Sequence, residues 1–163
     1  MRYGFSRRSQ RPRTRRLELL EDEVFRKNLR GDVSTAHSAM INGEWKAATV
    51  IASSVVETLL LWALQKKTPT DLKGALDNLI SNRRLQSRPS GDLLGWSLHP
   101  LIEVALELKT VSDTTASQCR IAKDFRNLIH PGRAERLKIQ CTRGTALSAV
   151  AAMEHVIADL AKP

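Results

Sequence analysis

The chain has 163 residues and two cysteines, enough for one ordinary domain with its own hydrophobic core and too little thiol for a disulfide scaffold. It is 42% hydrophobic but only 4% aromatic, so the core must come from Leu, Ile, Val and Ala, which suits packed helices and argues against a β-sandwich. The formal net charge is +9, yet Arg2, Arg7, Arg8, Arg11, Arg13, Arg15 and Arg16 all precede the first carboxylate, Glu18, leaving only +2 of that total for the remainder. The basicity therefore belongs to an arm, and the body is nearly balanced.

Residues 1–16 combine Arg, Ser, Gly, Gln and Pro without apolar periodicity and read as a disordered basic arm, to which nucleic acid or an anionic membrane surface would be attracted. Arg7-Arg8 follows Ser6 as in a twin-arginine signal, but no apolar region follows, so export is not expected. From Leu17 onward one helical domain, residues 17–163, is expected. Leu17, Leu20, Val24 and Phe25 predict a first helix ending at Gly31, Asp32 caps a short second one through Met40, and Asn42-Gly43 interrupts it.

Residues 44–66 form the strongest helical stretch. Its first half carries Ala47, Ala48, Ala52, Ser53 and Ser54, and its second half Leu59, Leu60, Leu61, Trp62 and Leu64. Apolar nearly all round, it should be the central helix, and Glu57 within it argues against a membrane span because a charge at a bilayer centre costs about 2.5 to 3.5 kcal/mol. Glu57 itself should be buried and need a cationic partner, with Arg120 and Arg126 as candidates. After Thr68-Pro69-Thr70 a helix over 71–85 turns Leu72, Ala75, Leu76, Leu79 and Ile80 inward, and residues 87–95 read as a loop.

Ser97 caps a helix through Leu108 with Pro100 in its first turn, and Ser112 or Asp113 caps the next, whose apolar stripe is Ile121, Phe125, Leu128 and Ile129. That helix stops at His130 because Pro131 disfavours helix in the residue before it. A last helix over 142–161 carries Leu147, Val150, Met153, Ile157 and Leu160. The fold class expected is thus all-α, a bundle of about six or seven helices.

The chemistry-bearing feature is the end of the penultimate helix, where Arg126 and His130 stand at i, i+4 on one face and Pro131-Gly132 suits a type II turn. Guanidinium clamps phosphate and imidazole exchanges a proton near neutral pH, so the pair suits phosphodiester chemistry that needs no metal or other cofactor. The residues alone leave two simpler roles open: His130 as a cation at a helix C-terminus, and Arg126 as the partner of a carboxylate. His99 and Glu103 have metal-ligand spacing but no third ligand, so a solvated helix face is expected there. Cys119, His130 and Cys141 match no zinc spacing, and reduced thiols in a cytoplasmic setting are expected.

The segment Asp124-Phe-Arg-Asn-Leu-Ile-His130-Pro-Gly-Arg133 resembles the signature region of the HEPN superfamily, in which an Arg and a polar residue precede a His on a late helix. The stretch from Gly43 to Leu60, with its Gly-x-x-x-Ala-Ala start and single Glu57, is similar to an earlier helix of such domains. The resemblance implies a helical bundle, a homodimer, and a metal-independent endoribonuclease of toxin or defence type with a partner antitoxin or other protein. By that resemblance Arg126 holds the scissile phosphate, Asn127 orients it, and His130 acts on the 2′-hydroxyl or the leaving oxygen; Arg133 and Lys123 are further candidates for holding substrate. Three residues separate Arg126 from His130, fewer than in the family pattern. The alternative is a non-catalytic module of the same fold that binds nucleic acid, nucleotide or a protein partner.

Overall fold

A computed structural model describes residues 17–126 and 140–162. Among them are six α-helices and no strand: α1 (Glu23–Ile41), α2 (Trp45–Gln65), α3 (Pro69–Ser81), α4 (Leu98–Glu107), α5 (Asp113–Arg126) and α6 (Arg143–Leu160). A short 3-10 turn, Leu93–Gly95, precedes α4. The basic arm, the Pro131-Gly132 turn, Asn127, His130 and Arg133 lie outside the described residues.

Helix α2 is the hub, packed against α1, α4, α5 and α6. Its inner faces bury Ala48, Ala52, Val56, Leu59, Leu60 and Leu64, and α6 answers with Ala146, Ala149, Ala152, Met153 and Val156. Small side chains let the backbones approach closely, which is how a core with so few aromatics excludes water. One buried cluster draws side chains from all six helices. By length and composition α2 could cross a bilayer, with a mean hydropathy of 1.8, but it lies inside the bundle as the central helix.

The bounds of α1 and α3 differ from the sequence reading, and α3 ends at Ser81 where a helix to residue 85 was expected. Helix α1 starts at Glu23, because Asp22 accepts a hydrogen bond from the Phe25 amide at 2.8 Å, and it runs straight through Gly31. Leu17 and Leu20 are fully buried, but in the turn before it, and Val24 points outward. Gly31 costs a helix interior about 1 kcal/mol relative to Ala. The buried line Leu29, Val33, Ala36 and Ala39 crosses that point without interruption and outweighs the cost. Helix α3 likewise starts earlier, at Pro69, because Thr68 and Asp71 form a reciprocal capping box.

Three helices end in the same way. After α1, α3 and α4 the chain turns through a left-handed residue, Gly43, Arg83 and Lys109, whose successor donates its amide hydrogen to a carbonyl five residues back. Glycine enters that conformation freely, whereas Arg83 and Lys109 pay a steric penalty of about 1 kcal/mol or more.

Candidate functional site

Helix α5 supplies most of the candidate site. Ser112 caps it, and Thr115, Ala116, Cys119 and Ala122 form its buried stripe against α6. The sequence reading centred this stripe near Ile121, but Ile121 is exposed, because the tight seam with α6 selects small side chains over branched ones. At 100° per residue Arg126 lies only about 20° from Cys119 around the helix. The stripe therefore carries Arg126 toward α2.

There Arg126 donates from Nη1 to Oε2 of Glu57. Both side chains are about two-thirds covered, 34% and 29% exposed respectively. Glu57 is thus half-buried where full burial was expected, and of its two candidate partners Arg126 is the one it meets. Lys123, one turn earlier on α5, is half-buried and pairs with the neighbouring Asp124 at 3.1 Å. His130, Asn127 and Arg133, the remaining candidates, fall outside the described residues.

Arg120 serves a different carboxylate. Glu103 on α4 is 3% exposed and is gripped from two sides. Arg120 donates from Nε and Nη2 at 2.6 and 2.9 Å, and Arg84 donates from Nη2 at 2.9 Å. Arg84 also reaches Glu107 through Nη1 at 3.2 Å. Burial alone would raise the Glu103 pKa, but the hydrogen bonds and charges of Arg120 and Arg84 outweigh it and hold the carboxyl below its usual range. His99 lies one turn back, its Nδ1 3.9 Å from Glu103, and burial together with Lys123 lowers its pKa.

The expectation that His99 and Glu103 form a solvated helix face is therefore corrected for Glu103. Its neighbours Leu101, Ile102, Val104 and Ala105 are all buried, so the segment has no outer side at that point. That run of apolar residues around a carboxylate was the signal sequence reasoning passed over. Among the described residues no three His, Cys, Asp or Glu side chains gather as a metal site would require. Cys119 and Cys141 are both free, and burial pushes the Cys119 thiol up to about 12, which makes it inert as a nucleophile.

A cleft of about 770 Å³ opens on the other side of the Glu103 cluster, with Arg84, Lys109, Arg120 and Lys162 facing Glu107, Asp113 and Asp159. Asp159 fills the helix-terminal end of it: it accepts from the Ser112 amide at 2.8 Å, the Ser112 hydroxyl at 2.9 Å and the Thr115 hydroxyl at 2.6 Å. The start of α5 is thereby capped by a carboxylate from α6. No family model matches the chain, and no curated protein or solved structure matches it either.

Proposed function

We propose that the chain is an RNA-acting domain of HEPN type, a metal-independent endoribonuclease in which Arg126 holds the scissile phosphate and His130 moves protons. One contact supports this reading above all. The two stretches that resemble the family lie 69 residues apart at Glu57 and Arg126, and those two residues form an ion pair. Glu57 engages only Nη1 of the guanidinium, so its other donors are left for substrate.

In the reaction proposed, the 2′-oxygen attacks phosphorus and the P–O5′ bond breaks, leaving a 2′,3′-cyclic phosphate and a free 5′-hydroxyl. The 2′-hydroxyl gives up its proton to a base and the departing oxygen takes one from an acid. His130 acts in one of those roles, with the second supplied by the His130 of another copy in a homodimer, as the family resemblance implies. Asn127, Arg133 and Lys123 would contact the flanking phosphates. A toxin or defence role, a partner protein that restrains the activity, and a cytoplasmic location follow from the same reading.

The three-residue separation of Arg126 and His130 favours a second reading, a non-catalytic module of this fold that binds RNA without cutting it. Single-turnover cleavage of single-stranded RNA in excess chelator distinguishes the two. The enzyme reading expects His130→Ala to lower the rate by about 100-fold or more. Arg126→Lys should also fail, since an ammonium keeps the charge but loses the planar fork. Glu57→Gln should slow the chemical step with little change in RNA affinity. RNA binding without cleavage by the unaltered protein would establish the module instead.

A further inference from the structure

Of the net charge of +9, seven units belong to residues 1–16, which hold no carboxylate, and the folded body has little positive charge to offer a polyanion. The structure shows why its cations count for less than their number. Arg84 is engaged by Glu103 and Glu107, Arg120 by Glu103, Arg88 by Asp77, and Arg126 by Glu57. A strand approaching this body meets four guanidiniums already neutralised at short range, Arg126 of the proposed site among them. One guanidinium and a histidine can hold a single phosphate, but affinity for a strand grows with the number of phosphates neutralised.

The fold also fixes where the remaining charge is attached. Leu17 and Leu20 are 1% and 0% exposed in the main core. The Leu20 amide donates to the Leu17 carbonyl at 3.1 Å, and Nη1 of Arg26 donates to the Leu20 carbonyl at 3.1 Å. The chain is therefore tied down one residue after Arg16, the last arginine of the arm. Helices α1 and α2 are joined by residues 42–44 and pack against each other, so they run antiparallel and the start of α1 lies toward the end of α2. That half of α2 carries Glu57, about 12 Å along the helix from its last residue, Gln65. A chain of sixteen residues spans at most about 55 Å, several times that distance.

The composition of the arm favours a polynucleotide over a membrane surface. Attachment to a bilayer needs apolar insertion besides charge, and residues 6–16, which hold six of the seven arginines, contain no apolar side chain but Pro12. All seven cations are arginine and none is lysine, and the guanidinium fork matches phosphate oxygens. We infer that residues 1–16 supply most of the affinity for RNA, by neutralising phosphates of the same strand whose scissile phosphate is held at Arg126. Attachment beside that half of α2 turns engagement of Arg126 into an intramolecular step once the arm has bound. The inference rests on the RNA-acting reading above but not on cleavage.

The test uses full-length protein carrying His130→Ala, so that RNA stays intact, and measures single-stranded RNA affinity between 50 and 200 mM salt. Replacing all seven arm arginines by glutamine should weaken binding by about 100-fold or more at the lower salt. The slope of log affinity against log salt should become shallower by about 0.7 for each arginine that meets a phosphate. Replacing the same seven by lysine keeps the charge and should keep the slope. The melting temperature should not move in either variant, because Leu17 and Leu20 are untouched.

An unchanged affinity and salt slope in the glutamine variant overturns the inference, and so does the absence of RNA binding by the parent protein. A lysine variant that loses the slope as the glutamine variant does also overturns it. So does a glutamine variant that keeps its RNA affinity but no longer binds vesicles containing phosphatidylserine, which would make the arm a membrane anchor. If the wild type leaves RNA intact yet binds it through the arm, the inference stands and the nuclease reading falls. If the wild type cleaves RNA and the glutamine variant binds it as tightly as the parent, the nuclease reading stands and the inference falls.

Discussion

Two carboxylates inside apolar helices, Glu57 and Glu103, meet opposite fates, and the difference lies in what faces them. Glu103 has buried neighbours on every side and two arginines to satisfy it, whereas Glu57 looks out between α2 and α5 at one arginine. Breaking a buried pair from one side costs up to about 3–5 kcal/mol. Arg84 and Arg120 each keep about a third of their surface in water and would rehydrate, which discounts that figure. Glu103→Ala should therefore cost about 2 kcal/mol, read from urea unfolding at neutral pH. A loss below measurement would show that the cluster is a surface feature. The need of Glu57 for a cation was legible in the sequence, because a charge in a long apolar helix has few alternatives. Glu103 was misread because its helix is short, and only the surrounding packing shows that it has no solvated side.

At the scale of elements, local chemistry decided the helix starts, and it was readable where the cap is adjacent in sequence. Ser112 and Thr142 cap α5 and α6 through their own side chains. The Asp159 cap on α5 comes from 47 residues away and had no sequence signature. Asp159 is held below its ordinary value of 3.8: burial opposes this, and the hydrogen bonds from Lys162, Thr115 and Ser112 overcome it. Glu103 is held below its own value of 4.5. In both cases the unfolded chain binds a proton more readily than the folded one, so their contribution is complete above about pH 5 and is lost as pH falls. Asp159→Asn should flatten the fall in stability between about pH 5 and pH 3. An unchanged acid limb would remove Asp159 from that role.

Helix α1 supplies a cleaner test, since Gly31 was expected to end it and does not. A Cβ added at Gly31 would meet nothing within 4 Å. Gly31→Ala should therefore stabilise the protein by about 0.5–1 kcal/mol, seen as a higher urea midpoint at constant slope. Destabilisation would mean that the chain breaks at Gly31 after all. The sequence reading overvalued glycine as a stop signal because the buried line that carries α1 past it continues, after Val33, on two alanines, Ala36 and Ala39. Alanine reads as neutral in a hydrophobic pattern and becomes core only when another helix comes close.

For the whole molecule, the all-α class followed from composition and periodicity, and the central position of α2 from its apolar length. Which side of α5 faces inward did not follow, because the α2, α5 and α6 seams are set by small side chains that carry little hydrophobic signal. With α5 turned that way, Arg126 is the one of the two candidate arginines that reaches Glu57. The proposed site is therefore half a local motif, Arg126 to His130 in sequence, and half a tertiary contact, Glu57 to Arg126. The most direct measurement is to incubate the purified protein with end-labelled single-stranded RNA in excess chelator and identify the new 3′ ends. The account predicts 2′,3′-cyclic phosphate termini that disappear in His130→Ala while its melting curve is unchanged. Intact RNA, or the same termini formed at the same rate by His130→Ala, would contradict it.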